Sequence, residues 1–113
     1  MTEREMLELA AKAYGIELEY RQGSDAYYYD NPETGREQWC PNGDNSQALE
    51  LSGALNLDID ICEESIDVWF CDPCVCKVIV HIDEPVSGDK MAAIRLAITK
   101  AAAELGKLKE QEA

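Results

Sequence analysis

Between Leu57 and Ile82 the chain runs in short stretches that change side at every residue, broken by turns, and a period of two admits few folds. Leu57, Ile59 and Ile61 point one way, while Asp58, Asp60 and Cys62 point the other. Glu63-Glu64-Ser65 is a tight connection, and Ile66-Asp67-Val68-Trp69-Phe70 alternates again. Asp72-Pro73 marks a turn before a third strand from Val75 to Ile82. Three strands with short links predict an antiparallel meander. One face of such a sheet is apolar, so helices must cover it.

The rest of the chain supplies that cover. Ser87 or Asp89 can cap a last helix in which Met91, Ile94, Ile98, Ala101 and Leu105 form an apolar stripe. Ala92, Ala93, Ala97, Ala102 and Ala103 add helicity and permit close approach. Gly106 is the expected end of order, with residues 107–113 a charged, frayed tail. At the other terminus Thr2 and Glu5 fit a capping box, followed by Met6, Leu9, Ala10, Ala13 and Tyr14 at helical spacing and by Gly15 as a stop. Ile16 to Tyr20 and Ala26 to Tyr29 predict two further strands around the turn Gln22-Gly23-Ser24-Asp25. Asp44, with Gln47 three residues on, predicts a middle helix facing inward through Ala48, Leu49, Leu51, Ser52 and Leu55. The expectation is one α+β domain over residues 1–106. It has an antiparallel meander sheet of about three to five strands, with two or three helices packed on it as an α/β sandwich.

At 113 residues and 46% apolar content there is room for a single core. The longest apolar runs fall well short of the roughly 20 residues that span a bilayer. The first residues, Met1-Thr2-Glu3-Arg4-Glu5, show no secretory signal, so a cytoplasmic location is expected, with thiols reduced. The net charge of −13 opposes direct binding to nucleic acid or to anionic membranes and favours a basic protein partner. Solubility is the plainer use of such charge.

Five cysteines include the cluster Cys71-Asp72-Pro73-Cys74-Val75-Cys76. A C-x-x-C on a turn can aim two thiolates at zinc, but no second pair follows at usual spacing. Cys71, Cys74 and Cys76 are metal candidates in a metal-stabilised alternative; the plainer expectation is small side chains filling a sheet. Redox chemistry is opposed by the surrounding Asp67 and Asp72, which raise thiol pKa values. His81 is the single histidine, and no nucleophile elbow, zincin pair or phosphate loop is present, so no catalytic residue and no cofactor are assigned.

Acidic residues carry more. From Glu37 to Cys76 there are nine of them and no Lys or Arg. Asp58 and Asp60 share one strand face about 6.6 Å apart, with Glu63, Glu64, Asp67 and Asp72 nearby. Carboxylates so held on a rigid sheet can seat arginines of a basic groove. Trp39 joins them as a candidate interface anchor, Trp and Tyr being typical hot spots. An alternative use is a small-molecule pocket between sheet and helix, lined by the alanines and tyrosines.

Laid side by side, these elements resemble the small phage and prophage proteins of the ABA-sandwich family. The likeness rests on Leu7-Glu8-Leu9-Ala10-Ala11-Lys12-Ala13 and on Trp39-Cys40-Pro41 with Asp44 and Ala48-Leu49 leading into Leu55-Asn56-Leu57. It continues through Ala92-Ala93-Ile94-Arg95 and Ala101-Ala102-Ala103-Glu104-Leu105-Gly106. The family pattern usually carries asparagine where Cys40 stands, and the Cys71–Cys76 cluster lies outside it. The resemblance implies an α/β sandwich and a phage-borne origin, and no defined activity. Small acidic phage proteins often block host machinery, which makes an inhibitor of a host defence or nucleic-acid-binding protein the expected role.

Overall fold

The structure, a computed structural model, describes residues 2–74 and 76–112. Met1, Val75 and Ala113 lie outside the described residues. They include the expected start of the domain, the expected first residue of the third meander strand and the end of the expected tail.

Thr2 caps helix α1 (Glu3–Tyr14), its Oγ1 accepting from the Glu5 N–H at 3.1 Å. Gly15 closes the helix at φ 88°, a conformation strained for any side chain, and donates to the Ala11 carbonyl at 2.8 Å. Strands β1 (Glu19–Arg21), β2 (Ala26–Asn31) and β3 (Gly35–Gln38) then form one antiparallel sheet in that order. Alternation does not announce β3, because Gly35-Arg36-Glu37-Gln38 has no apolar residue. Its backbone pairing to β2 holds it, from Tyr28 opposite Gln38 to Asn31 opposite Gly35.

Asp44 caps helix α2 (Asn45–Ala54), accepting from the Gln47 N–H at 3.0 Å. The buried Gln47 side chain ties this helix to the preceding loop. It accepts from the Cys40 N–H at 2.6 Å and donates to the Gln38 carbonyl at 2.7 Å and to Glu37 at 3.3 Å. The chain turns at Asn56, φ 53°, into β4 (Asp58–Ile61), β5 (Ser65–Asp72) and β6 (Lys77–Pro85). These pair as the expected antiparallel meander, with a bulge between Phe70 and Cys71. Helix α3 (Lys90–Glu112) follows.

The protein is therefore α+β, with three helices and two three-stranded antiparallel sheets rather than one larger sheet. Helices α1 and α3 pack extensively on each other, and α3 also rests on β5 and β6. Tyr27 and Tyr29 of β2, Trp39, Leu7, Ala10 and Ala11 share one core with Ile66, Val68, Ala97, Ile98 and Ala101. The helical layer offers apolar surface to both sides, so each sheet covers a different part of it.

Gly106 does not end α3, which continues to Glu112 in place of the expected frayed tail. The glycine instead allows helix contact: a Cβ there would lie 1.9 Å from the Leu9 carbonyl oxygen. Past it, Lys12 pairs with Glu110, Lys109 donates to the Lys12 carbonyl at 3.2 Å, and Leu108 packs against the core.

Two expectations for stability follow from these contacts. Gly106→Ala forces helix backbones apart and should lower unfolding free energy by about 2–3 kcal/mol in denaturant titration, as overpacking does. Gly53→Ala, with nothing within 4 Å of the added Cβ in an exposed helix turn, should raise it by about 0.5–1 kcal/mol. Glu37 supplies a pH signature. Hydrogen bonds from Asn31, then Thr34 and Gln47, hold its carboxyl below the ordinary value of 4.5. Since the folded pKa is the lower one, the stabilisation is present above the unfolded pKa and is lost as pH falls through the folded value. Glu37→Gln should accordingly show a shallower loss of thermal stability on acidification through and below that range than the wild type does.

Candidate interaction face

Strand β5 sits at the centre of its sheet and divides its residues by the pleat. Ile66 and Val68 are fully buried beneath the helices, which turns Asp67 and Trp69 to the opposite, uncovered face. Register completes that face. Asp67 lies opposite Asp60 of β4 on one side and opposite Asp83 of β6 on the other, a row of three carboxylates across the sheet. Trp69 lies opposite Asp58 and His81 in the next row. Side chains directly opposite on antiparallel strands have Cβ atoms roughly 4.5–5.5 Å apart.

His81 connects the two rows. Its Nε2 is 2.9 Å from the Asp67 Oδ1, and its ring stacks on the Trp69 indole at 5.2 Å between centroids and 5° between planes. An ionised carboxylate only accepts, so the Nε2 carries the proton of this bond in the neutral ring. Among the described residues no Lys or Arg pairs with Asp58, Asp60, Asp67 or Asp83. Three lysines are engaged elsewhere: Lys100 with Glu84 at 2.7 Å, Lys107 with Glu104 at 3.4 Å, and Lys12 with Glu110.

The outward face of the first sheet is the useful contrast. There Arg36 pairs with both Glu19 and Asp30, and Arg21 lies 4.6 Å over the Tyr28 ring. Both signs are interspersed and mutually satisfied. The second sheet's face carries acid alone.

Of the candidate residues, Asp58, Asp60 and Asp67 are brought together as the pattern predicts. Glu63 and Glu64 are exposed on the β4–β5 turn at one end of the face. Asp72 stands apart at the far end of β5, where its carboxylate accepts from the Cys74 N–H at 2.8 Å and so shapes the hairpin turn. Trp39 is no anchor. It is 2% exposed, stacked with Tyr14 and part of the core cluster. Asp83 and the stack of His81 on Trp69, one of the aromatics able to anchor an interface, also belong to the face. The shared parity of His81 and Asp83 is their only sequence signal.

The thiols do not fill the sheet, as the plainer expectation had them. Cys71, Cys74 and Cys76 are all exposed, and Cys76 precedes β6 in a left-handed turn conformation at φ 51°. Among the described residues no three His, Cys, Asp or Glu side chains converge in a way that would hold a metal ion. Cys40 is half-buried, donates to the Asn42 Oδ1 at 3.2 Å, and has its pKa pushed up mainly by burial. The alanines expected to line a pocket are packed solid: Ala97, Ala101, Ala102 and Ala103 have no exposed surface. A surface groove of about 460 Å³ does run between α1, β6 and α3, lined by Met6, Ile82, Leu96, Lys100 and Glu104 among others.

Comparison with protein families, with curated proteins and with solved structures finds no match to this chain.

Thiol accessibility checks the local geometry. In native protein an aromatic disulfide reagent should react quickly with Cys62, Cys71, Cys74 and Cys76, the four exposed thiols, and slowly with Cys40. Five equally fast thiols would contradict the packing around Cys40.

Proposed function

We propose that this is a small acidic accessory protein that works by binding a partner protein with a basic surface, through the uncovered face of the β4–β5–β6 sheet. The phage origin, the bacterial host as source of that partner, the cytoplasmic setting and a role in blocking host defence or nucleic-acid handling come from the resemblance in sequence. The binding mode comes from the face itself.

One observation carries it: Asp60, Asp67 and Asp83 stand in register on three adjacent strands with no Lys or Arg among them. Like charges placed directly opposite across strands are destabilising, each pair by up to about 1 kcal/mol. A partner that brings cations relieves that repulsion on binding, so its affinity includes energy the free protein gives up. Asp58 lies beside Trp69, and together they offer a carboxylate next to an aromatic surface, a combination suited to arginine. No chemistry of bond making is assigned to the face, and the proposed protein is not an enzyme.

Affinity capture from a bacterial host lysate, with wild type and an Asp58→Asn/Asp60→Asn/Asp67→Asn variant as bait, tests this. A partner should be retained at about 0.05 M salt, be released by about 0.5 M, and be at least tenfold depleted on the variant. An exposed control away from the face, Glu17→Gln, should retain it. Retention that ignores both salt and the three substitutions would remove the electrostatic face from the account.

A further inference from the structure

The charge of this face is adjustable, and the device that adjusts it is already in place. Among the described residues His81 is the one group on the face able to become a cation; it stands in the Trp69 row on the edge strand β6, and its ring reaches across to Asp67 of the neighbouring row. Its Nε2–H is committed to Asp67, so the proton it can gain goes to Nδ1, for which the described residues provide no hydrogen-bond partner. The titratable and charged groups around it are Asp67 on β5, Asp83 on its own strand, and Asp58 and Asp60 on β4 beyond Trp69 and Asp67. The half-exposed ring meets solvent directly, with a side-chain exposure of 47%.

We infer that His81 is a proton-operated regulator of partner binding: when it takes up a proton it neutralises the central carboxylate of the acidic face and weakens its hold on a cationic partner. This rests on the binding role proposed above and adds its regulation. The step is a simple protonation, imidazole plus one proton giving imidazolium, with no other reactant. The neutral ring already donates to Asp67 through Nε2 and stacks on Trp69; protonation turns these contacts into a charge-assisted pair and a cation–π contact, which an incoming arginine then has to displace. The four carboxylates of the face thereby lose one unit of net negative charge.

The test uses the full chain and a fluorescently labelled oligoarginine peptide, its affinity measured by anisotropy at about pH 7.5 and about pH 5.5, constant ionic strength, either side of the ordinary histidine range. For wild type the affinity should fall about three- to tenfold on acidification, the magnitude of losing one surface charge pair or two. For His81→Gln the fall should be under about twofold. Parallel falls in the two proteins would overturn the regulator while leaving the binding role standing. Equal affinity of wild type and Asp58→Asn/Asp60→Asn at about pH 7.5 would instead sink the binding role, and the regulator with it. A second readout needs no peptide. Imidazolium quenches a stacked indole, and the other tryptophan, Trp39, is buried. Emission should therefore drop with acidification through the histidine range in wild type and stay flat in His81→Gln; a flat wild-type profile overturns the inference.

Discussion

The backbones of Leu9 and Gly106 meet where α1 and α3 press together with no room for a Cβ. Alanines continue the contact on both sides: Ala10 and Ala11 on α1, and Ala101, Ala102 and Ala103 on α3, are all 3% exposed or less. Helices with small side chains at their interface pack at the short end of the usual range of about 8–10 Å between axes. A thin, alanine-lined layer has little bulk of its own. The helices add Leu7, Leu51 and Ile98, and most of the core's remaining bulk comes from the sheets, Tyr27 and Tyr29 from one and Ile66, Val68 and Val80 from the other, with Trp39 just beyond β3. Once Ile66 and Val68 are drawn onto the helices, the pleat leaves Asp67 and Trp69 no choice but the other face. The acidic surface is thus a consequence of how the helices pack.

Elements that announce themselves by local chemistry were legible. Both helix caps at Thr2 and Asp44, the stop at Gly15 and the three-stranded order of the meander follow from side-chain period and capping geometry, although its third strand runs Lys77–Pro85 where Val75 to Ile82 was expected. What escaped depends on contacts between distant segments. Strand β3 is polar throughout and exists because β2 offers it a backbone ladder. The division into two sheets escaped because alanine gives a helix no directional hydropathy: Ala97, Ala102, Ala103 and Thr99 are as buried as the Ile98 of the expected stripe, while Met91 of that stripe is 45% exposed. Gly106 reads as a helix stop in isolation, yet here it is interior, since a glycine that admits a neighbouring helix and one that ends its own look the same in one dimension.

The face was half legible for the same reason. Parity alone puts Asp58 and Asp60 together. That Asp67 stands directly opposite Asp60, and not one residue away, depends on the turn in which the Cys62 N–H donates to the Ser65 carbonyl at 3.0 Å. Asp83 entered because β6 runs to Pro85, past the alternating stretch. The His81–Asp67 bond is a diagonal cross-strand contact, and no spacing rule on a single strand can see it.

Two ordinary uses of acid in sheets do not account for this row. Charges that prevent edge-to-edge pairing belong on edge strands, and the edges here have their own devices: β4 is only four residues long, and β6 carries Lys77, a bulge across from Phe70 and Cys71, and a terminal Pro85. Asp60 and Asp83 do lie on those edge strands, but Asp67 is on the central strand, where no edge needs guarding. Solubility is indifferent to register, because net charge of either arrangement would be equal. A sheet that needed only solubility could interleave its signs, as the β1–β2–β3 face does with Arg36 between Glu19 and Asp30. Aligning three carboxylates instead raises the free energy of the uncomplexed protein, a cost that the binding role proposed above would recover on contact with a cationic partner. His81 touches both the aromatic surface and the carboxylate at the middle of the row, so under that proposal one proton on its ring acts on both.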